Sequence, residues 1–327
     1  MSVTFKDGPV ITLGECMVEF NRRADGAFTL AYGGDTFNTA VYLARCGARV
    51  QFASALGEDD PYSNAITQLA RDEGIGVELI HRAPGRMPGL YVIETDARGE
   101  RSFHYWRERA PVRDLFTGGL PSSLEAATAQ ASLIYLSGIT LSLFETRARD
   151  VLAAWLEAAK RQGARIAMDS NFRARGWPEG PEAAQAVFAR FWRLADIALP
   201  SMEDARALGL GADDGAVAAS LAGYGCQEIC IKNGAAGAAV ATGKSGTGAG
   251  DLVTIAPLEA IEPVDTTAAG DSFAAGYLAA RLAGHTPQGA AAHAHTLAGT
   301  VIQHRGAITP KEATATACAM IAELPSS

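Results

Sequence analysis

Val264–Leu282 reads VDTTAAGDSFAAGYLAARL. An extended, Thr-rich segment turns at Ala268-Ala269-Gly270 and enters an Ala/Leu-rich helix with apolar positions at Phe273, Tyr277, Leu278 and Leu282. A loop that feeds a helix N-terminus offers free backbone N–H groups and the positive end of the helix dipole, so it attracts anions. Small side chains let an anion's oxygens come close to that backbone. Asp271 stands at the lip of this nest, with Asp265 just upstream. A carboxylate there can act as a helix cap. The whole string, an anion nest with an acid at its edge, suits phosphoryl transfer to a hydroxyl, with Asp271 as the base.

Working outward, strand-like and helix-like segments alternate. Val10–Leu13, Val50–Ala55, Leu133–Leu136, Arg165–Met168 and Ile197–Leu199 are short apolar runs that read as buried strands. Helical patterns fall at Thr36–Cys46, Pro61–Glu73, Ser142–Arg161 and Pro181–Trp192, and at Ala269–Ala283, Pro287–Gln303 and Pro310–Ala322. This alternation predicts an α/β fold with a mostly parallel sheet covered by helices on both faces. Glu15–Phe20 with Phe28–Tyr32, and Gly89–Thr95 with Arg101–Trp106 across DARGE, lack intervening helices and predict a small second sheet. Ile229–Lys232 and Ala238–Ala241 flank the turn NGAAG, and Gly243–Gly250 (GKSGTGAG) reads as a loose stretch.

The other polar motifs are judged by position. Tyr32–Asn38 (YGGDTFN) precedes the first long helix, where Asp35 and Asn38 can face a ligand and the glycines let it approach. Paired glycines are equally the mark of a plain turn. Lys232–Gly237 (KNGAAG) must be a turn, and a glycine-lined turn also admits a nucleotide. Gly243-Lys244-Ser245 is no Walker motif, because the first glycine of that pattern falls on Ala238. Gly248-Ala249-Gly250-Asp251 imitates the nest, but Leu-Val-Thr-Ile and Pro257 follow in place of a helix, so a hairpin loop is expected. Asp169–Arg173 (DSNFR) leaves a buried strand at the sheet edge where open α/β sheets bind ligands; Asp169 is a cap or a site residue. The six histidines show no metal spacing.

Composition narrows the partners. The chain has 327 residues, 48% hydrophobic, with a net charge of −8. That is ample for a large core and argues against nucleic acid or an anionic membrane as partner. No apolar run approaches the roughly 18 residues of a membrane span, and Met1–Glu15 lacks the basic-then-apolar order of a secretion signal. Five scattered cysteines predict reduced thiols and a cytoplasmic location.

Together these segments resemble the ribokinase-type (PfkB) carbohydrate kinases over nearly the whole chain, 1–327, read as one domain. Both signatures are present, Gly33–Asn38 with Gly47 and Gly57, and Asp265–Asp271. Within that family the chain is similar to 2-keto-3-deoxygluconate kinases in GECMVEF, YGGDTFNTAVYLAR, PGLYVIETDARGERSFHYWR, YLSGI and VIQHRGAITP. The resemblance implies a three-layer αβα ribokinase-like core with a small β-sheet lid, approximately residues 15–32 and 89–107. It implies ATP at Ser201, Lys232, Gly234 and Gly237, with its phosphates in the nest of Thr267, Ala268, Ala269 and Gly270. Mg²⁺ would be held mainly through the phosphates and water. The acceptor would lie near Gly34, Asp35, Asn38, Tyr91, Tyr105, Arg107 and Arg173, and Asp271 would take its hydroxyl proton. The implied reaction is phosphorylation of 2-keto-3-deoxygluconate to the 6-phosphate. A neutral-sugar kinase, for example for fructose, and a non-catalytic sugar sensor are the alternatives. A sugar acid needs a partner for its carboxylate, and Arg107 and Arg173 are placed to converge on it. Two departures from the family pattern stand out. Ser201-Met202-Glu203-Asp204 replaces the usual Asn-x-x-Glu, and Ala268 stands where the nest usually has glycine. The apolar faces of the lid strands, with Cys16, Val18 and Phe20 on one and Phe28 and Leu30 on the other, predict a homodimer or higher homo-oligomer.

Overall fold

A computed structural model describes residues 3–23, 25–95, 101–244, 248–257 and 261–322. The strands are β1 (Val10–Leu13), β2 (Met17–Arg22), β3 (Phe28–Gly33), β4 (Val50–Gly57), β5 (Ile80–Ala83), β6 (Leu90–Thr95) and β7 (Arg101–Trp106). They continue with β8 (Leu133–Ser137), β9 (Arg165–Asp169), β10 (Ile197–Leu199), β11 (Glu228–Lys232), β12 (Ala238–Lys244) and β13 (Gly248–Ile255). Nine form one sheet in the order β13-β12-β11-β10-β9-β8-β1-β4-β5. Every pairing from β5 to β11 is parallel, and β12 and β13 complete the edge antiparallel.

The side-chain period of two sorts this sheet between two cores. Ile11, Leu13, Ile134, Leu136, Ile166 and Met168 join one core with the Thr146–Arg161, Pro181–Trp192 and Asp214–Tyr224 helices. Val10, Leu133, Tyr135, Ile197 and Cys230 face the other, built on the Asp35–Arg45, Ala269–Leu282, Pro287–Val301 and Lys311–Ala322 helices. This is the expected three-layer arrangement. A buried ion pair crosses the second core: Arg281 Nε donates to Glu228 Oε1 at 2.8 Å, and Tyr277 Oη donates to the same oxygen at 2.8 Å.

The small sheet is also present, in the order β3-β2-β6-β7. Its pairings put Met17, Glu19, Tyr91, Ile93, Phe103 and Tyr105 on one face, and Phe20, Phe28, Leu30, Val92 and Trp106 on the other. The DARGE turn, Asp96–Glu100, lies outside the described residues.

Several expectations need correction. Ser142–Arg161 is not one helix: Gly138–Leu143 and Thr146–Arg161 are separated at Phe144, whose backbone is extended at φ −102°, ψ 140°. Phe144 turns inward to stack edge-on against Phe116 at 5.1 Å, and its burial outweighs helix continuity. Gly248–Asp251 is strand, not hairpin loop, since Lys244 pairs with Gly248 and Gly243 with Ala249. Only 245–247 of the supposed loose stretch fall outside the described residues. Met202–Ala207, Asp214–Tyr224 and β5 went unread in the sequence.

Candidate active site

Asp271 lies in the first turn of the Ala269–Leu282 helix, whose N-terminal residue Ala268 is left-handed at φ 60°, ψ 15°. That conformation costs an L-residue roughly 1–2 kcal/mol. Asp265 shapes the approach: its Oδ1 accepts from the Thr267 N at 2.9 Å and Thr267 Oγ1 at 2.7 Å, and its Oδ2 accepts from the Gly306 N at 2.9 Å. The Thr267 N is thus bound inside the turn, as is the Ala269 N on the Thr266 carbonyl at 3.1 Å, which leaves the N–H groups of Ala268 and Gly270 for an anion although a methyl group stands where glycine is usual.

The Asp35–Arg45 helix packs across this N-terminus. Asn38 Nδ2 donates to Asp271 Oδ2 at 2.8 Å, and Thr39 Oγ1 donates to the Asp271 carbonyl at 3.3 Å. Burial, then the charge of Asp35, pushes the Asp271 carboxyl up to about 7, against the pull of the Asn38 hydrogen bond. A carboxyl poised there is about half ionised at neutral pH and basic enough to take a proton in a transition state. Gly34 makes the approach possible: a Cβ there would lie 1.9 Å from the Glu15 carbonyl oxygen.

One cavity of about 1680 Å³ gathers these groups. Its volume exceeds the roughly 300–1,000 Å³ of a single small-molecule pocket, leaving room for two ligands. Gly34, Asp35, Asn38, Tyr91, Tyr105, Arg107 and Arg173 line it together with Asp271, the nest Thr267–Gly270, Ser201, Lys232 and Gly234. Gly237 is not on the wall; it closes the turn behind Gly234 at φ 104°, packed on the Ile255 carbonyl.

At the end lined by Tyr91 and Tyr105, Asp35 Oδ2 accepts from Ser137 Oγ and, at 2.9 Å, from Asn171 Nδ2. Tyr91 Oη donates to Glu19, and burial with that neighbouring charge pushes the phenol up. Arg107 is paired with Glu15, whereas Arg173 is exposed and donates to the Phe172 carbonyl at 3.0 Å. Arg113 and Arg175 share the same wall. Glu15, Glu19, Asn171, Arg113 and Arg175 were not picked from the sequence. The visible hint was an acid at an inward position of an alternating strand, Glu19 in GECMVEF.

At the other end, Lys232 pairs with Asp169, whose carboxyl is raised by burial and opposed by Lys232. Asp169 is thus a site residue and more than a turn cap. Ser201 Oγ accepts from the Asp204 N at 3.0 Å, and Asp204 Oδ2 accepts from Ser170 Oγ at 2.7 Å. The Ser-x-x-Asp segment therefore still presents a carboxylate to the cavity. Among the described residues no three His, Cys, Asp or Glu side chains converge to hold a metal ion. Asp169 and Asp204, both on the cavity wall, are acids of the kind that hold Mg²⁺ through its waters.

Comparison with known proteins places the chain. The pfkB family carbohydrate kinase model matches residues 9–314. A 2-dehydro-3-deoxygluconokinase of Dickeya dadantii (strain 3937) is 38% identical over 311 residues, covering 93% of this chain and 97% of that protein. A Klebsiella pneumoniae fructokinase is 30% identical over 294 residues, covering 89% and 90%. Among solved structures, a fructokinase with bound ATP from Xylella fastidiosa has a TM-score of 0.80 at 22% identity, covering 95% of this chain and 97% of that one.

The left-handed Ala268 yields a stability prediction. Ala268→Gly removes the Cβ conflict, and part of that gain is offset by the added freedom of the unfolded chain. The variant should be more stable by about 0.5–1 kcal/mol, read from urea midpoints. A loss of stability would show that the turn does not strain Ala268.

Proposed function

The chain belongs to the pfkB family of carbohydrate kinases, and we propose that it transfers the γ-phosphoryl group of ATP to the terminal hydroxyl of 2-keto-3-deoxygluconate, forming the 6-phosphate. The observation that carries this reading is the cavity: a base poised near neutrality at an anion nest, facing a wall with Arg107, Arg113, Arg173 and Arg175. A neutral hexose needs hydroxyl partners only, whereas the exposed guanidinium groups of Arg173 and Arg175 suit a carboxylate. A sugar acid supplies that carboxylate. The relative named for this substrate is more similar to the chain than the fructokinase, in the same direction.

In this reading the small sheet is a lid on a single kinase unit. The acceptor lies between the lid and the Asp35–Arg45 helix, with hydroxyls against Asp35, Asn38 and Gly34. Asp271 accepts the hydroxyl proton as the oxygen attacks. In the 267–270 nest the N–H groups of Ala268 and Gly270, with the Lys232 ammonium, face the charge on the transferring group. Ser201 and Gly234 border the nucleotide. Asp169 and Asp204 would hold Mg²⁺ through water; bound with ATP, the ion neutralises phosphate charge. All five cysteines are buried and unpaired, which fits work in a reducing cytoplasm.

Asp271→Asn should lower kcat by roughly 10²–10⁴-fold with little change in ATP binding. In wild type, kcat/KM should rise with pH through about 7 as Asp271 ionises, and the variant should lose this limb. Stability supplies a second readout. The native carboxyl is raised above the unfolded value near 3.9, so the native state holds the extra proton. Its stability contribution is present below that value and lost as pH rises through about 7. Asp271→Asn should therefore be more stable than wild type at pH 8, with the difference shrinking towards pH 4. A pure capping role predicts the opposite, a loss of about 0.5–2 kcal/mol with turnover intact.

The substrate assignment is checked by steady-state rates on 2-keto-3-deoxygluconate and fructose. Wild type should prefer the acid, and Arg173→Met should raise its KM by roughly tenfold or more, as for a lost charge-assisted hydrogen bond. A preference for fructose would transfer the reading to a neutral-sugar kinase.

The outer face of the small sheet exposes Phe28, Leu30 and Trp106 at 51%, 46% and 56%. We read this apolar face as the contact of a homodimer. Sedimentation at micromolar concentration should give twice the chain mass, and Leu30→Asp should give the monomer. A monomeric wild type would remove this assembly and leave the kinase assignment standing.

A further inference from the structure

Four chain connections join the small sheet to the core, and one ion pair sits where three of them meet. Glu15 lies on the link from β1 to β2, and its carbonyl packs on Gly34, the link from β3 to the Asp35–Arg45 helix. Its carboxylate pairs with Arg107, the first residue after β7. Glu15 is almost wholly buried, with its side chain 4% exposed against 21% for Arg107. Arg107 also lies 5.9 Å from the Tyr105 ring, which Arg175 approaches at 5.6 Å from the core side.

The contact is one-edged. Arg107 Nη2 meets Glu15 Oε2, while Arg107 Nε and Glu15 Oε1 are buried without a hydrogen-bond partner. A buried donor left unmet is costly, and Arg107 lines the cavity. Held through Nη2, the guanidinium keeps Nη1 for a ligand. Arg side chains lose rotamer entropy when fixed. A partner that fixes Arg107 before the ligand arrives removes that loss from binding.

We propose that Glu15 is a positioning residue for the sugar acceptor: it pins Arg107 at the junction of lid and core, so that the guanidinium meets the acceptor already oriented. This deepens the kinase reading and rests on it. Gly89 gives the pairing a steric requirement, because a Cβ there would lie 2.8 Å from Glu15 Oε1 and 3.0 Å from Arg107 Cβ. Any side chain at the entry to β6 would force the Glu15 carboxylate and Arg107 to shift.

The test compares Glu15→Gln, Gly89→Ala and the double variant Glu15→Gln/Arg107→Met by steady-state kinetics, using whichever of 2-keto-3-deoxygluconate or fructose wild type phosphorylates better. Glu15→Gln removes the charge, and Gly89→Ala displaces the pair with every charge retained. Both should raise the acceptor KM about tenfold, with the ATP KM within twofold of wild type. The double variant should be no worse than Arg107→Met alone, because Glu15 acts through Arg107. If Glu15→Gln fails to fold, Gly89→Ala decides. An unchanged acceptor KM in a folded variant overturns the proposal, as does a lowered one, which would mean that Glu15 competes with the substrate for Arg107. Wild type choosing fructose would overturn the sugar-acid reading alone, since the KM comparison is then made on fructose.

Discussion

The hydrogen bond from Asn38 to Asp271 holds the site together. It joins the N-terminal turns of two helices that are 233 residues apart in sequence. Both helices belong to the same core, in which Phe37, Val41, Ala274 and Leu278 are buried. That packing brings two carboxylates, Asp35 and Asp271, close enough for the charge of one to raise the carboxyl of the other. The Asn38 donor is the larger of the influences that offset the burial of the Asp271 charge, ahead of the Lys232 ammonium. A helix N-terminus favours a carboxylate by a fraction of a kcal/mol to about 2 kcal/mol, too little to cancel full desolvation. The result is a carboxylate kept basic and kept in place.

The rest of the cavity repeats the logic of fixing charges in advance. Asp169 is answered by Lys232, Asp35 by Ser137 and Asn171, Asp204 by Ser170, and Glu15 by Arg107. Each acid is anchored to a group on another element, so charge placement depends on how the layers pack. Asn171 shows what this demands of the backbone: at φ 24° it sits in the left-handed region, where Asn is among the better-tolerated residues, and donates across to Asp35. The arginines share the cavity with the inner face of the small sheet.

Local chemistry was legible in the sequence and tertiary chemistry was not. The nest and Asp271 could be read because loop, turn and helix start lie within a few residues. The buried strands were visible as apolar runs, and the small sheet as hairpins with no helices between them. The Asp214–Tyr224 helix was missed because Ala-rich DGAVAASLAGY has no apolar stripe. The break at Phe144 was missed because only the core shows that this ring must turn inward. No periodicity links Glu15 to Arg107, Asp169 to Lys232 or Asn171 to Asp35, which lie 92, 63 and 136 residues apart. Ser201-x-x-Asp204 looked like a lost acidic position, yet Asp204 still faces the cavity.

The small sheet poses a final constraint. A thin antiparallel sheet needs one face packed to be stable, and its inner face here includes Tyr91, Phe103 and Tyr105 on the wall of a ligand cavity. Rings over a cavity that fills and empties cannot be packed tightly by the protein itself. The inner face compensates locally: Tyr91 and Tyr105 stack at 5.7 Å, Phe103 and Tyr105 at 6.4 Å, and Tyr91 is tied to Glu19. On the outer face Phe20 and Phe28 meet edge-on at 6.3 Å, which shields little of either strand. Burial that the cavity withholds on one side must be supplied on the other. Strand alternation, which sends successive residues to opposite faces, thereby ties the aromatic wall of the cavity to an apolar outer surface, and neither face can change register without the other.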